Sequence, residues 1–181
     1  MIYMGTPRLR LRDWMETDLE PFRRLNADVE VMRYFPSVLS SEGTDVFYEA
    51  ILSEFQECGY GFYAVEVKES NEFIGFIGFH RATFPSDFTP CIEIGWRLKK
   101  EAWGKGYATE GARACLKYGF SDLGFQDVYS FTAEVNQPSQ NVMIKIGMSF
   151  VKRFNHPRVM DQSPLKPHVL YQINRQAAGG E

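Results

Sequence analysis

One acid and one glycine pair stand out for the chemistry they could do. Glu93 lies in Cys91-Ile92-Glu93-Ile94-Gly95-Trp96-Arg97-Leu98, the single carboxylate of a β-rich run of mostly apolar neighbours. An acid on a strand buried on most sides is disposed to take a proton from a substrate, or else to serve as a structural carboxylate bonded to backbone or to an arginine. Beyond it, Trp103-Gly104-Lys105-Gly106 forms a short loop that opens into a helix over 107–120, where Ala108, Ala112, Cys115, Leu116 and Phe120 recur at helical spacing. The first N–H groups of a helix have no internal partner, so they face whatever precedes them, and phosphate is their natural ligand. Two glycines let the main chain approach an oxygen closely, and Lys105 adds positive charge. Glycine pairs after strands are also ordinary turns; here strand, loop and helix form one continuous device. Glu134 and His80, at strand ends, are weaker acid–base candidates.

The remaining elements must hold that device. Residues 8–12, Arg-Leu-Arg-Leu-Arg, alternate with period two and read as a strand with Leu9 and Leu11 inward and the arginines outward. Thr17 followed by Glu20 has capping-box spacing ahead of a short helix bearing Leu19, Phe22 and Leu25, and a further helical turn over 29–35 is stopped by Pro36. Ser40 and Ser41 offer caps to a helix reaching about Gln56, with Val46, Phe47, Ala50, Ile51 and Phe55 as its buried stripe. Strands follow at 62–67 and 73–81, joined by a polar hairpin turn; the loop 83–90 then presents Phe84 and Phe88 as exposed aromatics. After the central helix come a strand at 127–135, turn residues Asn136-Gln137-Pro138-Ser139, a brief helix ending at Gly147, a strand at 148–154, a long loop and a last strand at 168–174. Residues 176–181 are expected to fray.

Composition bounds the function. At 181 residues, 44% hydrophobic and 15% aromatic, the chain is one domain able to bury about two-thirds of its unfolded surface. Twenty basic against 23 acidic residues, a formal net charge of −3, leave no electrostatic footprint for nucleic acid and favour amine-bearing partners. No segment reaches the ~20 apolar residues of a membrane span and no signal peptide opens the chain, so a cytoplasmic protein is expected. Three cysteines without CxxC spacing argue against a disulfide framework or a metal site.

Three stretches carry a family resemblance. Glu93-Ile94-Gly95-Trp96 with Trp103-Gly104-Lys105-Gly106-Tyr107-Ala108-Thr109-Glu110 is similar to a central strand and acyl-CoA pyrophosphate loop. Asn136-x-x-Ser139 running to Lys145-Ile146-Gly147-Met148 is like the segment flanking the CoA arm, and Thr6 to Trp14 resembles the opening T-x-R-L-x-L-R strand. Together with the element order, they make the chain resemble the GNAT superfamily of N-acetyltransferases, and within it the ribosomal-protein N-terminal (alanine/serine) acetyltransferase branch. The resemblance implies a single α/β GNAT-like domain over 1–181, with a mixed, mostly antiparallel sheet of about seven strands, about four helices and a splayed central strand pair. It departs from the family at Glu101, where many members carry Arg or Gln, and at Ser139, which stands near a common tyrosine.

The implied reaction is direct transfer of acetyl from acetyl-CoA to an amine in a ternary complex, without a metal. The pyrophosphate is expected on backbone N–H groups of Gly104, Lys105, Gly106, Tyr107, Ala108 and Thr109, with Trp103 packing and shielding. The pantetheine arm is expected along Trp96, Arg97 and Leu98. Deprotonating the attacking amine at pH 7 costs about 1 kcal/mol for an α-amine and nearly 5 for a lysine. Glu93 is the expected base, Ser139 or water the proton donor to the leaving thiolate, and Asn136 a positioning residue with its amide available to the cofactor. Phe35, Phe84 and Phe88 are expected around the acceptor, a protein N-terminus or a small amine, polyamine or antibiotic. A monomer or homodimer would serve. The rival from another class is a CoA-binding sensor without turnover; a nucleotide-binding loop is disfavoured because GxxxxGK[ST] is absent and Thr109 stands where a dinucleotide fingerprint needs glycine.

Overall fold

Apolar β-runs in the first half of the chain, alternating at Leu9–Arg12 and continuous at Phe62–Val67 and from Phe73 to Phe79, build a sheet, and two long apolar stripes supply helices for its two faces. The computed structural model describes residues 1–179. Its strands are β1 (Ile2–Gly5), β2 (Leu9–Arg12), β3 (Phe62–Val67), β4 (Glu72–Ala82), β5 (Cys91–Leu98), β6 (Asp127–Ala133), β7 (Ser149–Asn155) and β8 (Pro167–Asn174). Its helices are α1 (Leu19–Ala27), α2 (Ser41–Cys58), α3 (Tyr107–Ser121), α4 (Gln137–Lys145) and α5 (Arg175–Ala178). The strands form one sheet in the order β1-β2-β3-β4-β5-β6-β8-β7. Every neighbouring pair is antiparallel except β5 and β6, which run parallel and share one residue pair, Glu93 with Tyr129.

Two cores sandwich the sheet. On one face Leu9, Leu11, Tyr63, Ile77 and Ile94 pack with Ala112, Cys115 and Leu116 of α3. On the other, Phe62, Phe73 and Phe76 meet Trp14, Phe22 of α1 and Ile51 of α2. Strand β4 is therefore covered on both sides and buried without interruption from Phe73 to Phe79. Alternation along β5 points Ile94 and Leu98 to α3 and Glu93, Gly95 and Arg97 to the opposite face.

Several local expectations are corrected. An eighth strand, β1, pairs with β2. The arginines of β2 are not all outward: Arg12 is buried, with Nη1 donating to Asp18 Oδ2 at 2.7 Å and Nε to Glu66 Oε2 at 2.9 Å. A 3₁₀ turn, Glu16–Asp18, replaces the Thr17 capping box, and Asp18 accepts the Met15 N–H. Residues 29–35 are a run of turns rather than a helix, with the Asp28 carboxylate accepting the Glu30 N–H. In α2, Ser40 caps as expected, but Val46 is 71% exposed and Ala50 is also exposed. The larger rings Phe47, Tyr48 and Phe55 take the inward stripe with Ile51, rotating the buried face past the smaller residues. Strand β6 stops at Ala133, short of 135. The tail makes a further helical turn, α5, capped by Asn174 on the Ala177 N–H; residues 180–181 lie outside those described. No helix among the described residues is long and apolar enough to cross a membrane.

Candidate active site

The loop between β5 and α3 is held by the turn between β1 and β2. Gly104 and Gly106 both adopt left-handed backbone, at φ 70° and 80°, and Gly106 caps α3 with no side chain over its end. The first hydrogen bond inside the helix is from the Glu110 N–H to the Gly106 carbonyl, which leaves the amides of Tyr107, Ala108 and Thr109 pointing out of its end. A Cβ added at Gly104 would meet nothing within 4 Å, so the space before these amides is open. Arg8 grips the loop: Nη1 donates to the Lys105 carbonyl at 2.8 Å, the guanidinium lies 4.6 Å from the Tyr107 ring, and Nε reaches Glu110 Oε2 at 2.7 Å. Glu110 also accepts from the Arg8 N–H and the Thr6 hydroxyl; burial favours its protonation, but these bonds outweigh it and hold its pKa below the usual range.

Above the loop the sheet comes apart. Past the Glu93–Tyr129 pair, the Ser130 hydroxyl bonds the Ile94 carbonyl at 2.9 Å, and then β5 and β6 diverge. Since Ile94 turns its polar groups toward β6, strand alternation turns the N–H and C=O of Trp96 the same way, into the gap. The Leu98 carbonyl is taken by the Trp103 indole N–H at 2.9 Å. A cleft of about 750 Å³ fills the gap, reaching from Gly104, Gly106 and Tyr107–Thr109 past Trp96–Leu98 to Glu93, with Thr132, Asn136 and Ser139 on the far wall. Lys105 lies outside the cleft lining, while Trp103, 43% exposed, stands at its rim.

On the far wall Asn136 caps α4, accepting the Ser139 N–H at 3.2 Å and donating from Nδ2 to the hydroxyls of Thr132 and Ser139 at 2.9 and 3.1 Å. Its amide is thus spent within the protein rather than left for a ligand. The Ser139 oxygen accepts from Asn136 and keeps its own proton to donate. Glu93, on the cleft floor, is pushed by burial up to about 8, with His80 pulling its pKa down and Glu54 pushing it up by lesser amounts. His80 faces it across the β4–β5 register and bonds the Glu54 carboxylate at 2.9 Å, which raises the imidazole's pKa. A carboxyl near 8 facing an open cleft can exchange a proton with an amine of similar pKa. Glu134 instead forms a surface pair with Arg153.

The aromatic expectations divide. Phe35 lines the cleft mouth. Phe84, expected to be exposed, is buried, its ring 4.5 Å from His156 and 5.4 Å from Phe131; Phe88 joins the same cluster with Phe154, and neither lines the cleft. Phe131, His156 and His168 form that wall instead. Burial pushes His156 down to about 4 and lowers His168, so both are neutral at pH 7. Arg8 and Glu54 escaped the sequence reading. Their signals were faint: an alternating strand for the first, and for the second an acid three residues after Ile51 on a buried helix face. Among the described residues no three His, Cys, Asp or Glu side chains are grouped to hold a metal ion.

A splayed parallel pair with uncapped helix amides behind it is the framework of an acyltransferase that draws on a CoA thioester, and comparison with known proteins agrees. The chain belongs to the GNAT acetyltransferases, whose domain matches residues 8–149. It is an acetyl-CoA-dependent N-acetyltransferase. The Bacillus subtilis protein YkkB, itself uncharacterised, is 32% identical over 158 residues, covering 84% of this chain and 90% of its own length. A GNAT-family acetyltransferase from Bacillus anthracis superposes with a TM-score of 0.80 at 28% identity, covering 97% of this chain and 99% of that one. RimL, a ribosomal L7/L12 α-N-protein acetyltransferase solved with coenzyme A, shares the fold at 17% identity and a TM-score of 0.79, covering 98% and 99%. So does the spermidine N-acetyltransferase of Vibrio cholerae, at 18% and 0.75, covering 96% and 99%.

Proposed function

We propose that the acceptor is a primary amine attacked directly in a ternary complex, and that it is the N-terminal α-amine of a protein such as a ribosomal protein, in the cytoplasm. The observation that carries this reading is the continuity of one cleft from the glycine-capped end of α3 to the Glu93 carboxyl. Acetyl-CoA supplies the activated thioester. Backbone amides of Gly104 to Thr109 hold its diphosphate, with Trp103 shielding, and the polar edge at Trp96, Arg97 and Leu98 pairs with its amide-bearing arm. The Trp96 N–H faces the position where negative charge develops on the acyl oxygen. As the N–C bond forms and the C–S bond breaks, Glu93 takes the amine's proton and the Ser139 hydroxyl, oriented by Asn136, gives one to sulfur. A carboxyl near 8 is matched to an α-amine of pKa about 7.7–8.0 and poorly matched to a lysine at about 10.4.

Thiol release from acetyl-CoA, followed with a colour reagent against N-terminal peptides, polyamines and other small amines, tests the reading. Release with peptides bearing a particular first residue is expected. Release with polyamines alone would overturn the α-amine assignment, and silence with confirmed acetyl-CoA binding would favour the sensor.

A further inference from the structure

Among the described residues the Arg97 guanidinium forms no ion pair. It is sunk into the cleft wall on the Glu93 face of β5, and its one hydrogen bond among the described residues is from Nη1 to Asn26 Oδ1, at 2.7 Å. Its Nε is buried and unpaired. Three rings surround it, Phe35 at 4.4 Å, Phe76 at 5.3 Å and Phe47 at 5.5 Å, and these attract the cation through their faces but accept no strong hydrogen bond. Glu30 is engaged with Lys100, Glu54 with His80, and Glu66 with Arg10 and Arg12. Burial alone lowers the Arg97 pKa to about 10, with no neighbouring carboxylate to offset it. A half-buried arginine with a buried, unpaired Nε and no protein anion is costly unless something else supplies one.

The diphosphate of the donor is not that anion. The α3 amides lie behind the opposite face of β5, where Ile94 and Leu98 are packed, whereas Arg97 shares its face with Glu93 and Gly95 and looks into the acceptor half of the cleft. The planar fork of a guanidinium suits a carboxylate.

We propose that Arg97 is the anion receptor of the acceptor site, and that the amine acetylated here carries a carboxylate close to its amino group, as an amino acid or an acidic peptide N-terminus does. The inference rests on the acetyl-transfer reading and sharpens it: a polycation such as a polyamine is repelled by the same group.

The test has a binding arm that needs no turnover. N-acetyl amino acids, which keep the carboxylate and lack the amine, are titrated calorimetrically against the protein with CoA, beside their carboxamides and beside N-acetylated peptides with acidic or neutral first residues. Binding at least tenfold tighter for the free acids than for the carboxamides is expected, and Arg97→Met should reduce that ratio to near one while Arg97→Lys keeps part of it. Preference among the peptides for an acidic first residue would assign the carboxylate to a side chain; preference confined to free amino acids would assign it to the main chain. Equal binding of acids and carboxamides by the parent protein overturns the inference whether or not the variants fold. Discrimination without thiol release from any amine would leave the anion site standing and remove the transfer reading instead.

Discussion

At the scale of single residues, the reaction turns on where protons sit near pH 8. Glu93 is neutral below about 8 because its burial disfavours charge, so on the catalytic reading both it and an α-amine acceptor must lose a proton before attack. Plots of log(kcat/KM) against pH should approach a slope of two on the acid side in the parent enzyme and a slope of one in Glu93→Gln, with the variant about 100-fold slower at pH 8. Retention of the parent's slope would make Glu93 structural. The same group predicts stability with the opposite sign. Between its ordinary value of 4.5 and about 8 the folded protein holds a proton the unfolded chain lacks, so this group's contribution falls as pH rises through that window. Glu93→Gln should therefore melt higher than the parent at pH 9. Glu93 could be singled out in the sequence because an acid among apolar neighbours is visible locally. Glu54 could not, since its partner His80 lies 26 residues away and nothing within α2 distinguishes it from a solvated acid.

At the scale of elements, the turn between β1 and β2 acts as a clamp on the glycine loop. Arg8 spans 97 residues to reach the Lys105 carbonyl and 102 to reach Glu110, which is why an alternating Arg-Leu strand read alone suggests only a solvated face. Arg8→Ala removes the charge-assisted bonds to the Lys105 carbonyl and the Glu110 carboxylate and a cation–ring contact but leaves Glu110 its bonds from the Thr6 hydroxyl and the residue-8 N–H, so α3 should stay in place while its leading loop loosens. The dissociation constant for acetyl-CoA should rise about tenfold, measured by calorimetry, with kcat at saturation little changed. Unchanged affinity would mean that the glycine loop holds its own shape. Strand and helix cores were legible wherever the apolar run was strong and bounded by turn residues, as at Phe62–Val67, whose limits agree with the sequence. The misreadings share a cause in tertiary competition: α2 turned its rings inward past Val46, and Phe84 was drawn from an expected exposed loop into a cluster assembled from β6, β7 and the late loop. No pattern confined to one segment encodes such a cluster.

At the scale of the whole molecule, the sheet is two half-sheets, β1 to β5 and β6-β8-β7, joined by a single parallel pair and backed by one continuous core under α3. On the other face the α1–α2 core stops at the cleft, and the Phe84–Phe131–Phe154 cluster begins beyond it. A ligand lying in the gap would replace strand pairing that the protein does not make with itself, so its binding should be felt globally. At 100 times its dissociation constant a ligand bound only to the native state adds about 2.7 kcal/mol. For a chain of 181 residues that corresponds to a rise in Tm of about 5–10 °C with acetyl-CoA. ATP and NAD, which offer phosphates without the amide-bearing arm, should raise it less. Gly104→Ala separates the loop from the rest of the cleft: its Cβ has open space in the protein, so its own cost is the strain of φ 70°, about 1–2 kcal/mol and a few degrees. Yet on the proposed diphosphate site that methyl group stands where phosphate oxygens approach the α3 amides, so the further rise on adding acetyl-CoA should vanish. A variant that melts a little lower but keeps the full rise would place the diphosphate elsewhere and leave the glycine loop a turn.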